Sequence, residues 1–278
     1  MTLVPILLYH SISERPSAAM RPFTVPPATF REHLEAVAGS GATMLEVSEF
    51  VERREARRLP ARPAVITFDD GFADFAEHAL PALVHQRLPA TLYVTTGFLA
   101  GCPAGSARAR PDDRALDWSQ LKEIDAQGIE IGAHTHGHPH LDTLAPDAAR
   151  QEIAGCKTIL EGELGHEVAS FAYPNGYSSP TVRRLVREAG YRSACAVRNT
   201  LSSSSDDRFA LARLTVRDTT TVEQVAGWLS GTGARAPYRR ERVATKAWRA
   251  YRRTRAAASG IPGSDFRTRY TANAPLPE

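Results

Sequence analysis

Short apolar runs that stop on ionisable side chains recur along this chain, and they narrow its possible folds more than any other feature. Leu3 to Tyr9 leads into His10, Ala64 to Phe68 into Asp69-Asp70-Gly71, and Ile129 to Ala133 into His134-Thr135-His136-Gly137-His138. Further runs cover Ala42 to Val47, Thr91 to Thr95, Val168 to Tyr173, Ser193 to Val197 and Leu211 to Val216. Helical stripes lie between them: Phe30, Leu34 and Val37 before Gly39 and Gly41, Trp118, Leu121 and Ile124 before Gly128, and Val182, Leu185, Val186 and Ala189 before Gly190. Strand and helix in alternation specify βα units around a parallel sheet, with enough strands to close a barrel. Functional groups of such barrels gather at the carboxyl ends of the strands. His10, Asp69 and Asp70, His134 and His138, and Tyr173-Pro174-Asn175-Gly176 are therefore expected on one rim.

Two adjacent carboxylates at the end of a buried strand are costly unless a counter-charge or a cation meets them. The spacing of His134 and His138, followed by Pro139, lets both imidazoles turn towards one ion, with Asp70 as a third ligand. Three protein ligands leave positions for water and substrate, as a catalytic metal site requires. Asp69 is then free to act as a base. Blander readings stand beside these. Asp69-Asp70 suits a helix N-cap before Phe72, the alternating histidines suit a solvated loop or an adventitious metal tract, and His136 and His140 suit a rim that touches ligand.

At 278 residues and 42% hydrophobic, the chain suits one large α/β domain over residues 1–232 and a basic tail over 233–278. Residues 234 to 257 hold nine Lys or Arg against Glu241, so the net charge of +3 is a tail of +8 on a body of −5. The basic balance belongs to the tail, and nucleic acid is not an expected partner. A helix is expected over Tyr238 to Ala257, with Trp248 and Tyr251 on one side among arginines, suited to an anionic membrane surface. Gly101 to Arg114 and residues 199 to 208 read as exposed loops. Cys102, Cys156 and Cys195 are too few and too scattered for a disulfide framework or a zinc knuckle. The amino terminus lacks a basic n-region and a cleavage site, and no apolar run reaches the roughly 20 residues of a membrane span. The expected location is cytoplasmic, at most peripheral to a membrane.

Thr67-Phe68-Asp69-Asp70-Gly71 and His134-Thr135-x-x-His138-Pro139, in this order, resemble the polysaccharide deacetylases of the NodB-homology type, carbohydrate esterase family four, from about residue 3 to about 230. The resemblance implies a distorted (β/α)7 barrel and a metal-dependent hydrolase that removes N-acetyl groups from amino sugars in a polysaccharide, oligosaccharide or glycolipid precursor. It implies Asp69 as base and Asp70, His134 and His138 as ligands of one divalent transition metal, with zinc the default and Co, Ni, Fe or Mn as alternatives. Two departures follow. Where many members carry Arg-Pro-Pro-Tyr-Gly, this chain has Ala172-Tyr173-Pro174-Asn175-Gly176, so the arginine that orients the base is missing there. Arg213 is the substitute we expect, and the Asn175 N–H is the expected oxyanion donor. The late Leu-x-His motif is also absent, since no histidine follows His166. Leu8-Tyr9-His10 offers it at the other end, as in the circularly permuted poly-N-acetylglucosamine deacetylase branch, and assigns the general acid to His10. A cyclic amide hydrolase of the same fold, or a silent carbohydrate-binding or membrane-associated scaffold, are the competing functions.

Overall fold

The computed structural model describes residues 2–101, 113–234, 248 and 250–255. The strands, in chain order, are β1 (Leu3–Val4), β2 (Ile6–Tyr9), β3 (Ser11–Ile12), β4 (Thr24–Val25), β5 (Thr43–Leu45), β6 (Pro63–Phe68), β7 (Thr91–Val94), β8 (Glu130–Ala133), β9 (Ser170–Ala172), β10 (Ser193–Cys195), β11 (Ser202–Ser203) and β12 (Leu214–Thr215). The α-helices are α1 (Pro27–Gly39), α2 (Val47–Glu55), α3 (Leu80–Gln86), α4 (Trp118–Ala126), α5 (Pro146–Leu164), α6 (Pro180–Glu188) and α7 (Val222–Leu229).

Strands β2, β6, β7, β8, β9 and β10 lie side by side in parallel, and β12 pairs with the free edge of β2. The sheet curls until Leu211 bridges Cys195 of β10, while Leu214 and Thr215 pair with Leu7 and Leu8. A seam between β10 and β12 thus joins the two ends of the sheet. The distortion comes from β5, which pairs with Pro63 to Val65 on the same edge of β6 where β7 pairs with Thr67 and Phe68. Two strands share one edge, and the lower half of the barrel is splayed.

Alternation along each strand separates two apolar layers. Leu7, Tyr9, Ile66, Phe68, Leu92, Val94, Ile131, Ala133 and Phe171 pack outward against helix residues such as Phe30, Leu34, Leu121, Ile124 and Ile153. Ile6, Val65, Tyr93, Ala172, Cys195 and Leu211 form the inner layer, which Val47, Phe50 and Val51 of α2 complete. Of the helical stripes read from the sequence, Phe30, Leu34 and Val37 of α1, Leu121 and Ile124 of α4, and Val182, Leu185 and Val186 of α6 are buried, while Trp118 and Ala189 are half-buried. Asp117 and Gln120 form a capping box that starts α4.

Two readings need correction. Pro5 lacks an N–H and splits the first run into β1 and β2. Residues 199 to 208 are not wholly an exposed loop: Thr200 to Ser203 are buried, because Ser202 and Ser203 pair antiparallel with β1 and Asp206 accepts from Ser202 Oγ and Ser203 N. Of the expected loop over Gly101 to Arg114, residues 102–112 lie outside the described ones. So does most of the expected tail helix; within it, Trp248 and residues 250–255 are helical. Among the described residues, no helix is long and apolar enough to cross a membrane.

Candidate metal centre and active site

The inward rows of the barrel deliver the site. In β6 the row Val65, Thr67 continues into Asp69, in β2 the row Ile6, Leu8 continues into His10, and in β8 Gly132 precedes His134. Each residue sits one step past its strand, where the inner layer opens at the rim. Alternation alone would turn Asp70 away from Asp69. Its φ of +79° re-aims the chain, so that neighbouring carboxylates face one space. Thr135, His138 and Asn175 also have positive φ, at 68°, 57° and 59°. Left-handed non-glycine residues collected around one site are the kind of stored strain that the surrounding structure must enforce.

His134 fixes the character of the centre. Its Nδ1 lies 2.8 Å from the Ala172 carbonyl, which only accepts, so Nδ1 carries the proton and Nε2 offers a lone pair. That Nε2 is buried, makes no hydrogen bond, and lies 3.4 Å from Asp70 Oδ1 and 3.7 Å from Asp69 Oδ2. His138 Nε2 is 3.2 Å from the same Asp70 oxygen. The ligand atoms of Asp70, His134 and His138 all lie within 4.8 Å of one another, and all three residues are buried. A lone pair aimed at carboxylate oxygens in a dry site is repulsive; a cation among the three turns that repulsion into coordination. The donor set fits a divalent metal, with the Ala172 carbonyl as the outer partner that holds the imidazole in its ligating tautomer.

Asp69 stands beside this set, gripped by Arg213, whose Nη1 and Nη2 donate to its two oxygens at 2.7 and 2.8 Å. Arg213 is fully buried, donates from Nε to the Ala196 carbonyl, and lies over the Tyr93 ring. Burial pushes the Asp69 carboxyl up, but the Arg213 guanidinium, then His134 and His10, outweigh it and hold the carboxyl below its ordinary range. Asp69 in turn holds Arg213 above its ordinary value against burial. A fork-to-fork pair leaves the outer lone pairs of the carboxylate open towards the rim.

His10 is buried at the end of β2, its ring 5.3 Å from Phe23. β12, which begins one residue after Arg213, pairs with β2 beside it. Asn175 sits in a tight turn after β9, one residue before Gly176. At Gly176 φ is +71° and a Cβ would lie 2.4 Å from the Val197 nitrogen, so the turn demands glycine.

Several supports had no readable signal. Glu152 of α5 accepts from the Gly137 N–H at 2.6 Å, and Thr135 Oγ1 accepts from the His138 N–H at 3.0 Å. Thr96 Oγ1 lies 2.8 Å from His136 Nδ1. Together they fasten the histidine loop to α5 and to the segment after β7. An acidic residue one helical face from the loop would be the cue, but nothing in one sequence singles out Glu152 among its neighbours.

Residues 56–194, half of the chain, match the family described as Polysaccharide deacetylase. YxkH of Bacillus subtilis (strain 168) is 27% identical over 214 residues, covering 77% of this chain and 71% of that protein. The poly-β-1,6-N-acetyl-D-glucosamine N-deacetylase of Staphylococcus aureus (strain MRSA252) is 20% identical over 226 residues, 76% of this chain and 74% of its own. Among solved structures, the Streptococcus pyogenes deacetylase PplD, in complex with acetate, superposes with a TM-score of 0.72 at 26% identity, over 81% of this chain and 96% of that one. The curled parallel sheet, the carboxylate and histidine motifs at its rim and the matched span agree: the chain belongs to the polysaccharide deacetylase family of the NodB-homology type.

Proposed function

We propose that the protein hydrolyses the N-acetyl group of amino sugars within a polysaccharide, oligosaccharide or glycolipid precursor. The observation that carries this reading is the ligating lone pair of His134, held by Ala172 and facing Asp70 and His138, next to a carboxylate that Arg213 keeps ionised. Asp70, His134 and His138 would hold one divalent transition metal, zinc by default. Bound there, the metal supplies Lewis acidity to an acetyl carbonyl and acidifies water.

The remaining work falls to the chain. Asp69 takes a proton from the attacking water, and Arg213 fixes the direction from which it does so. The Asn175 N–H donates to the oxyanion that forms when water adds to the acetyl carbon. His10 protonates the nitrogen as the carbon–nitrogen bond breaks, and acetate and a free amine leave. The reading is tested by acetate release from N-acetylglucosamine oligomers together with metal analysis. About one divalent metal per chain, and loss of metal and turnover in His138→Ala, are expected; a fully loaded His138→Ala variant would refute the ligand assignment.

A further inference from the structure

The helical segment that holds Trp248 and residues 250–255 is docked on the rim. Arg252 is buried, with Nη2 donating to Asp142 Oδ2 at 2.7 Å and its guanidinium carbon 3.3 Å from the centre of the Tyr177 ring. Arg253 Nε donates to the Asp142 carbonyl at 2.8 Å. Asp142 lies four residues after His138, and Tyr177 two after Asn175, so one side chain ties together the loops of the histidines and of the oxyanion turn. Trp248 Nε1 donates to the Tyr177 hydroxyl at 3.0 Å, and its ring stacks on Tyr251 at 5.2 Å and 23°. His140 meets Tyr177 edge-on, which links this aromatic group to the metal loop. Tyr251 remains 51% exposed.

We infer that Trp248 and Tyr251 form a platform for a pyranose ring next to the acetylated sugar, and that Arg252 is the positioning residue that holds the platform at the rim. The inference rests on the glycan reading given above. A stacked aromatic pair whose Tyr251 is half exposed and whose indole N–H is already engaged suits the C–H face of a sugar, which is apolar, while its hydroxyls reach water. The burial of Arg252 argues against lipid as the occupant. Arg252 is buried with its Nη2 on Asp142, so its guanidinium is withdrawn from any charged surface, while the exposed Arg253 gives its Nε to the Asp142 carbonyl.

The full-length protein is titrated with N-acetylglucosamine and its oligomers while tryptophan fluorescence is followed, and KM is measured across chain length. The wild type should show an oligomer-dependent signal and a KM that falls with length. Trp248→Leu should lose the signal, and Tyr251→Ala, at an exposed position with little risk to folding, should flatten the length dependence by raising KM for long oligomers about fivefold to tenfold with kcat maintained. Arg252→Ala should do the same through displacement of the helix, with partial rescue in Arg252→Lys. Unchanged length dependence in Trp248→Leu and Tyr251→Ala overturns the platform. So does loss of sedimentation with anionic vesicles in these variants while oligomer binding stays intact, which assigns the face to lipid. Trp248-dependent oligomer binding without acetate release would support the platform and refute the proposed activity instead.

Discussion

Arg213 holds both oxygens of Asp69 from inside the barrel, at 2.7 and 2.8 Å, although 144 residues separate the two along the chain. The pair is bidentate and buried, with Asp69 just after β6 and Arg213 just before β12, the two strands that flank β2, so it sets both the charge and the orientation of the carboxylate. Arg213→Lys keeps a charge and loses the fork. It should retain metal and fold, yet lower kcat about a hundredfold, as expected when a reacting group is misplaced by about 1 Å. Arg213→Ala should cost about 3–5 kcal/mol of stability, because it strands a buried charge. Denaturant unfolding and acetate-release kinetics on both variants check the split.

The neighbouring carboxylates should fail differently. Asp69→Asn is expected to keep metal and lose about 10²–10⁴-fold in turnover, the usual contribution of a positioned base. Asp70→Asn should release metal instead. Metal content and kcat measured on the same preparations decide, and a reversed pattern would exchange the two roles.

His10→Ala should slow amide hydrolysis much more than hydrolysis of an activated acetate ester, whose leaving group departs without a proton. Metal content should not change. Equal losses on both substrates would make His10 a structural residue of the rim.

A pH effect on stability is expected far from the site, at the amino-terminal end of the barrel. Burial first, and then the charges of Glu130 and Glu49, push the Glu46 carboxyl up to about 7 from an ordinary 4.5. The folded state therefore binds this proton more tightly than the unfolded chain. The stabilisation is complete below about pH 4.5 and is lost as pH rises through about 7. Glu46→Gln should remove that loss, so its Tm advantage over the wild type should grow between pH 4.5 and 8, the upper end being about one unit above the group's midpoint. A constant difference across the range would contradict the shift.

Much of the architecture is legible because period-two alternation and strand ends carry local signals. Val65, Thr67 and Asp69 fall in one inward row, and His134 follows Gly132 in another, so convergence of the two motifs follows from the pattern. What is not legible depends on partners remote in the chain or on single dihedral angles. Alternation predicts that Asp70 faces away, and only its left-handed φ brings it in. The Ala172 carbonyl that sets the His134 tautomer is a backbone atom, which no residue code announces. The docking of Arg252 on Asp142 spans 110 residues, and a charge-rich tail reads from sequence as a solvated face. The serines at 202 and 203 read as a loop because their burial is decided by a backbone ladder with β1.

The seam between β10 and β12 carries a temporal consequence. A chain still emerging from the ribosome contains Asp69, Asp70, His134 and His138 well before Arg213. The grip on Asp69 cannot form at that stage, because Arg213 comes immediately before β12, the strand that closes the sheet against β2 near the start of the chain. Non-local pairings of this kind form late in folding. Until that pairing forms, the carboxylate proposed as base has no guanidinium to orient it, so the proposed chemistry depends on a contact between segments far apart in the chain.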